Sequence, residues 1–156
     1  MTNALPEPEL QTLAQTHAQD AGGLLPLLHD IQDRMGYIPA DAVPTIARAF
    51  NRSRAEVHGV ISFYHHFRTT PPGRHVLQVC RAEACQSCGG EALAKLAESV
   101  LGCAHGETSA SGVSLDSVYC LGLCASAPAI AVDGQAQARV DVASLEALLR
   151  QLEAQT

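Results

Sequence analysis

The chain has 156 residues, of which 47% are hydrophobic and 17% are charged. This composition excludes a disordered chain and allows one ordinary domain, or two small ones, with an apolar core. The formal net charge of −6, with only ten Lys and Arg residues, disfavours nucleic-acid binding, and no apolar run approaches the roughly 18 residues that a membrane-spanning helix needs.

The first residues of the chain, Met1–Glu9, lack the basic start and apolar centre of a secretory signal. We therefore expect a cytoplasmic protein whose six cysteines stay reduced. In a reducing compartment, clustered cysteines indicate metal binding or catalysis more often than structural disulfides.

The first half of the sequence has the spacing of apolar residues that is typical of amphipathic helices. Gly36 lies where a left-handed cap would end one helix, and Asp41 is predicted to cap the next. Ser53 and Glu56 form the Ser-x-x-Glu pattern of a capping box before a further helix. The predicted helices cover residues 9–20, 24–35, 41–50 and 53–67, a small bundle without a catalytic constellation.

A Pro-Pro-Gly sequence at residues 71–73 ends the helical half, because proline cannot continue a helix. We place a domain boundary here, with a helical N-terminal module at residues 1–70 and a second domain at residues 75–156. In the second domain short strands alternate with helices, and Asp133-Gly134 is typical of a tight hairpin turn. The predicted strands are 75–79, 113–120, 129–132 and 138–140, and the predicted helices are 89–101 and 143–153.

The order of these elements predicts an α+β protein, in which the small helical bundle precedes a thioredoxin-like α/β domain with a mixed sheet. Thioredoxin-like folds often have a cis proline just before the strand that follows the active-site rim. Pro128 holds that place, although trans is the default state of X–Pro bonds.

Two cysteine pairs carry the chemistry of the second domain. Cys80 and Cys85 are separated by four residues, and Cys120 and Cys124 are separated by three. Each pair follows a predicted strand, and in this fold both strand ends can reach one rim. A [2Fe–2S] cluster requires four thiolates, two for each iron. We therefore predict one [2Fe–2S] cluster on these four residues.

Other interpretations of the cysteines are open. A zinc-binding interaction module also uses four thiolates, although its usual pairs are Cys-x2-Cys. Cys85 and Cys88 match the Cys-x-x-Cys pattern of thiol–disulfide exchange, which would leave the second pair without a role.

Cys103, near a helix end, is expected to be an isolated buried thiol. Packing or surface roles are expected for His58, His65 and His66.

Beyond the cysteines, the helical half contributes three stretches: LLPLLHDIQ at 24–32, GYIP at 36–39 and EVHGVISFY at 56–64. The second domain contributes Cys80-x4-Cys85 and Cys-Leu-Gly-Leu-Cys at 120–124, with Ala-Pro at 127–128. Together these stretches resemble the 24-kDa [2Fe–2S] subunit family of respiratory complex I. The resemblance extends over roughly residues 20–150, nearly the whole chain.

This resemblance implies a helical N-terminal module, a thioredoxin-like domain with the cluster on the four predicted cysteines, and one-electron transfer inside a larger NAD-linked oxidoreductase. Within the family, Cys-Arg-Ala-Glu-Ala-Cys-Gln at 80–86 most resembles the gamma subunit of soluble, molybdenum-dependent, NAD-linked formate dehydrogenases. The equivalent subunits of complex I and of NAD-reducing hydrogenase are the alternatives.

The family also implies the partners. FMN and NAD are expected on a flavin- and NAD-binding subunit of the same complex, not on this chain. The formate dehydrogenase assignment adds a larger subunit that contains molybdenum and iron–sulfur centres. The isolated chain is then expected to carry electrons without turning over a substrate, and neither a nucleic-acid partner nor insertion into a membrane is expected.

Overall fold

The computed structural model of the chain describes residues 5–154. The chain divides between Pro71 and Pro72 into two compact units, each with its own apolar core. We call them the helical unit and the sheet unit. Among the helices of residues 5–154, none has both the length and the apolar character that crossing a bilayer requires.

Within residues 5–71, four α-helices form the helical unit, and their apolar faces meet in a buried core. The predicted capping box is present: Glu56 N–H donates to Ser53 Oγ, and Ser53 N–H donates to the Glu56 carboxylate. Gly36 has the predicted left-handed conformation, with a φ of 82°. The helices are α1 (Glu7–His17), α2 (Leu24–Met35), α3 (Val43–Ala49) and α4 (Arg54–Phe63), with a short 3-10 turn at Ala40–Ala42.

Two predictions for this half are wrong in detail. Asp41 does not cap a helix, because it lies inside the 3-10 turn and α3 begins after Ala42, which makes no side-chain capping bond. Helix α4 ends at Phe63 because the chain becomes extended at Tyr64. Phe67, which we predicted to lie in that helix, is nevertheless buried in the core of the helical unit.

Over residues 72–154, the sheet unit is a five-stranded mixed sheet with two longer helices packed on it. Its elements are β1 (His75–Cys80), α5 (Glu83–Ser87), α6 (Gly90–Leu101), β2 (Glu107–Thr108), β3 (Val113–Val118), β4 (Ala129–Val132), β5 (Gln135–Ala138) and α7 (Val142–Ala154). The strand order is β2-β3-β1-β4-β5. Strands β1 and β3 are parallel and the other neighbours are antiparallel. Helices α6 and α7 share one buried core with the strands.

The parallel pair β1–β3 positions the cysteines. The two strands are in register so that Cys80, the last residue of β1, is opposite Val118, the last residue of β3. The first cysteine loop, residues 80–90, and the second, residues 118–128, therefore leave the sheet side by side at the same edge.

The α+β class and the mixed sheet are confirmed. The short elements α5 and β2 were not predicted, and β5 lies earlier than the predicted strand at 138–140. Strand β5 begins early because the turn before it is short. Asp133 and Gly134 both have positive φ, 49° and 80°, which is the geometry of a two-residue hairpin turn, so the next strand begins directly after Gly134. The Ala127–Pro128 peptide bond is cis.

Candidate functional site

Four cysteine side chains lie at the sheet edge where β1 and β3 end. We call Cys80, Cys85, Cys120 and Cys124 the cysteine quartet. Cys80 ends β1 and Cys85 lies in α5, and each is only 2% exposed. Cys120 follows β3, Cys124 begins a 3-10 turn, and both are exposed. The structure thus brings together all four residues that the sequence proposed as cluster ligands.

The quartet is arranged as two pairs. The Sγ atoms of Cys120 and Cys124 are 3.7 Å apart. The thiols of Cys80 and Cys85 lie in one small buried cluster, and Cys80 helps to raise the pKa of Cys85. Across the pairs, Cys124 interacts electrostatically with both Cys85 and Cys80. Each loop therefore contributes one pair of thiols, and the two pairs influence each other electrostatically.

The first loop is fixed by close packing. Helix α6 begins at Gly90 directly against the backbone of this loop. A Cβ atom at Gly90 would lie 2.7 Å from the carbonyl oxygen of Cys85 and 3.2 Å from that of Cys80. Only glycine permits this approach, so the residue at the start of α6 helps to set the position of both buried cysteines.

The second loop is fixed by its backbone conformation. Cys120 has a φ of 149°, a value that residues other than glycine rarely adopt and that is typical of functional sites. Gly122 has a φ of 74°, and its N–H donates to the Cys120 sulfur at 3.3 Å. The loop therefore directs the Cys120 sulfur by an unusual backbone turn rather than by burial.

Hydrogen bonds and burial set the acidity of these thiols. The Gly122 N–H lowers the pKa of Cys120. The hydrogen bond and charge of Cys120 raise the pKa of Cys124. Burial, and then the neighbouring thiol of Cys80, raises the pKa of Cys85. Two adjacent thiolates are thus unfavourable in each pair until a cation replaces their protons.

The donor set fits a two-iron cluster. Each iron of a [2Fe–2S] cluster takes two thiolates, and the quartet supplies one pair from each loop. Two thiol pairs from two loops match this requirement in number and in grouping. Among residues 5–154, no group of three or more His, Cys, Asp or Glu side chains is close enough to hold a single metal ion.

The remaining cysteines lie outside the quartet. Cys88 is exposed after the end of α5, and its sulfur is 3.9 Å from Ser87 Oγ. Cys85, its partner in the thiol-exchange hypothesis, interacts instead with Cys80. Cys103 is half-buried against the core of the sheet unit, and burial raises the pKa of its thiol. His58, His65 and His66 are exposed residues of the helical unit.

The sequence analysis missed one group of ionisable residues beside the first loop. Arg81 donates to both carboxylate oxygens of Glu91, at 3.1 and 3.2 Å. His105 interacts electrostatically with both, and burial lowers its pKa. Among the described residues, neither ring nitrogen of His105 has a hydrogen-bond partner. The only signal in the sequence was the charge of Arg81 next to Cys80, because no regular spacing relates these three positions.

Most of this chain is similar to known iron–sulfur proteins. The family model described as "Thioredoxin-like [2Fe-2S] ferredoxin" matches residues 10–153. A subunit of an NADH-quinone oxidoreductase of Rhizobium meliloti is 33% identical over 147 residues, which are 94% of this chain and 88% of the relative. A subunit of the NADH-quinone oxidoreductase of Thermus thermophilus is 38% identical, over 84% of this chain and 74% of the relative.

Relatives also occur among hydrogenases. NADP-reducing hydrogenase subunit HndA of Solidesulfovibrio fructosivorans is 29% identical, over 93% of this chain and 87% of the relative. In the solved structure of an NAD+-reducing [NiFe]-hydrogenase in the H2-reduced state, one chain superposes with a TM-score of 0.72 at 28% identity. The match covers 86% of this chain but only 22% of the hydrogenase chain, so the present chain corresponds to about a fifth of that polypeptide.

Proposed function

Because this chain belongs to the thioredoxin-like [2Fe–2S] ferredoxin family, we propose that the cysteine quartet holds one [2Fe–2S] cluster and that the chain carries single electrons within an NAD-linked oxidoreductase complex. The observation that carries the proposal is the meeting of two thiol pairs at one sheet edge, one pair in each of two loops that follow parallel strands. When bound, a [2Fe–2S] centre supplies a one-electron couple.

Residues of this chain influence the reduction potential of that couple. The Gly122 N–H donates to the Cys120 sulfur, and the backbone of Ala129 favours the thiolate of Cys85 by lowering its pKa. Such interactions stabilise the additional negative charge of the reduced state, and they therefore raise the reduction potential. Cys80 and Cys85 are shielded from water, whereas Cys120 and Cys124 reach the surface. The protein thus provides a buried side that limits solvation and an open side through which electrons can pass.

The partner follows from the relatives. Their names describe subunits of NADH-quinone oxidoreductases and of an NADP-reducing hydrogenase. NADH gives up two electrons together as hydride, so a flavin is needed to pass them singly to a one-electron carrier. We therefore propose an FMN- and NAD-binding partner subunit in the cytoplasm, and no substrate turnover by the isolated chain.

Three assignments of the whole complex have an observation in their favour. A hydrogenase is one of them, because HndA and one chain of a solved hydrogenase structure are similar to this chain. The relatives favour an NADH:quinone oxidoreductase. The sequence of the first cysteine loop, residues 80–86, favours a molybdenum-dependent formate dehydrogenase with a larger molybdenum- and iron–sulfur-containing subunit, but the relatives compared above do not support that finer assignment. We give the quinone-linked complex priority for this reason.

Metal analysis of the native complex tests these proposals. We expect two irons and two acid-labile sulfides on the isolated chain, with the EPR signal of a reduced [2Fe–2S] centre after dithionite treatment. A colourless chain that contains zinc would contradict the cluster. In the purified complex, molybdenum would assign formate dehydrogenase and nickel a hydrogenase, whereas NADH-dependent quinone reduction without either metal would support the first assignment.

A further inference from the structure

The first cysteine loop, residues 80–90, carries both buried thiols of the quartet but has little regular structure to hold them. Cys80 is at its start, and Cys85 lies in helix α5, which has five residues. A helix of this length is not stable by itself, because one turn does not repay the cost of helix nucleation. Contacts from outside the loop must therefore keep the two thiols in place.

The ion pair between Arg81 and Glu91 joins the two ends of this loop. Arg81 directly follows Cys80, and Glu91 is the second residue of α6. One guanidinium nitrogen of Arg81 donates to both carboxylate oxygens of Glu91. The backbone N–H of Arg81 donates to the carbonyl oxygen of Val118, the last residue of β3, at 2.8 Å. The loop is thus closed by a side-chain contact and attached to the sheet at the same residue.

The surroundings of this ion pair are unfavourable for stability. Arg81 Nε and both ring nitrogens of His105 are buried, and within the described part of the chain they have no hydrogen-bond partner. Unpaired buried polar atoms destabilise a fold, and a partly buried ion pair such as Arg81–Glu91 contributes little net stability in return. Arrangements that cost stability are expected at functional sites, and this one lies directly beside a proposed ligand.

We propose that Arg81 and Glu91 are positioning residues of the cysteine quartet, and that their ion pair holds Cys80 and Cys85 in the arrangement that the cluster requires. This inference rests on the proposed function and adds residues that prepare the site for the cluster. Neither residue is a proposed ligand, and the pair is neutral as a whole, so its effect is on the geometry of the loop. Ligands held in place by such outer contacts bind a metal centre more tightly.

The test compares two double variants of the full chain, each reconstituted with iron and sulfide. Arg81→Met with Glu91→Leu replaces the ion pair by apolar side chains and leaves the net charge unchanged. Arg150→Met with Glu146→Leu is the matched control. It makes the same two changes in an ion pair of the same sheet unit, within helix α7, where the two side chains are 3.7 Å apart and largely exposed.

We expect an iron chelator to remove the cluster from the Arg81→Met, Glu91→Leu chain about tenfold faster than from the wild type, with a changed EPR spectrum. The control should behave like the wild type. Without metal, the first variant should resist denaturant at least as well as the wild type, because apolar replacement of such a pair is not destabilising. Iron loss at the rate of the control, or a clearly less stable metal-free chain, would overturn the inference. Absence of iron and sulfide from the reconstituted wild type would instead overturn the proposed function.

A second measurement does not depend on the cluster. Alkylation of the metal-free chain, followed by mass spectrometry, compares the access of reagent to the buried thiols of Cys80 and Cys85 with its access to the exposed thiol of Cys88. We expect Cys80 and Cys85 to react several-fold faster in the Arg81→Met, Glu91→Leu variant than in the wild type, and Cys88 to react equally in both. Unchanged rates at Cys80 and Cys85 would show that the ion pair does not hold the loop, and would overturn the inference whether or not a cluster forms.

Discussion

The first and second cysteine loops reach the same edge of the sheet by different physical means. The first contains a short helix, buries both of its cysteines and packs directly against the start of α6. The second is exposed, and it holds Cys120 in a backbone conformation that only glycine adopts easily. The comparison indicates that packing determines the geometry of one thiol pair and backbone torsion that of the other.

This difference has a functional consequence. A buried ligand pair is protected from water and from competing ligands, but it cannot approach a partner protein. An exposed pair can approach a partner, but it must be held in place without a surrounding core. A one-electron carrier needs both properties, and the two loops supply one each.

The largest expected effect is the loss of a ligand from either loop. Cys85→Ser and Cys120→Ser should each lose or strongly perturb the cluster, because each removes one of four thiolates. Cys88→Ala is the control, since Cys88 is exposed and makes no contact with the quartet that we observe among the described residues. Iron and sulfide content and the EPR spectrum of the reduced protein measure the outcome.

These ligand variants also test the choice of thiols in the first loop. If Cys88→Ala lost the cluster while Cys80→Ala kept it, Cys88 would replace Cys80 as a ligand. The burial of Cys80 beside Cys85 would then need a different explanation.

The second prediction concerns the packing of the first loop. Gly90→Ala should destabilise the sheet unit by about 1–3 kcal/mol, because the new methyl group would overlap the backbone of Cys85. It should also lower the yield of cluster assembly. Chemical denaturation of the reduced, metal-free chain, followed by reconstitution with iron and sulfide, measures both effects.

Gly59→Ala is the control for Gly90→Ala. Gly59 lies inside α4, and no neighbouring atom lies within 4 Å of the place that a Cβ would occupy there. Alanine at this position should stabilise the chain by up to about 1 kcal/mol, since it favours the helix. Equal stability of the two variants would show that the contact at Gly90 does not constrain the first loop.

The sequence predicted much of this arrangement, but unequally for the two loops. The period of the apolar residues indicated the longer helices, and the positions of Cys80 and Cys120 after apolar alternations indicated that they follow strands. Helix α5 was missed because five residues are too few to show a helical period. The torsion of Cys120 was missed because nothing about cysteine itself indicates a positive φ. The Arg81–Glu91 pair depends on tertiary contact between residues ten positions apart.

The smallest predicted effect concerns Gly122 in the second loop. It separates the cost of backbone strain from the effect of a hydrogen bond on the reduction potential of the cluster. Gly122 and Gly22 have similar positive φ values, 74° and 83°, and open space where a Cβ would lie. Replacing either by alanine should therefore cost a similar stability, roughly 1–2 kcal/mol, because the left-handed conformation is unfavourable for alanine. Of these two glycines, Gly122 alone donates its N–H to a proposed ligand sulfur, the Sγ of Cys120.

Gly122→Ala should in addition lower the reduction potential of the cluster, because a distorted turn weakens the bond that stabilises the reduced state. Gly22→Ala should leave the potential unchanged. Potentiometric titration monitored by EPR measures this difference, and thermal unfolding of the same samples measures the shared loss of stability. An identical potential in the two variants would mean that the turn only positions Cys120, and that the bond from Gly122 contributes nothing to the electronic properties of the site.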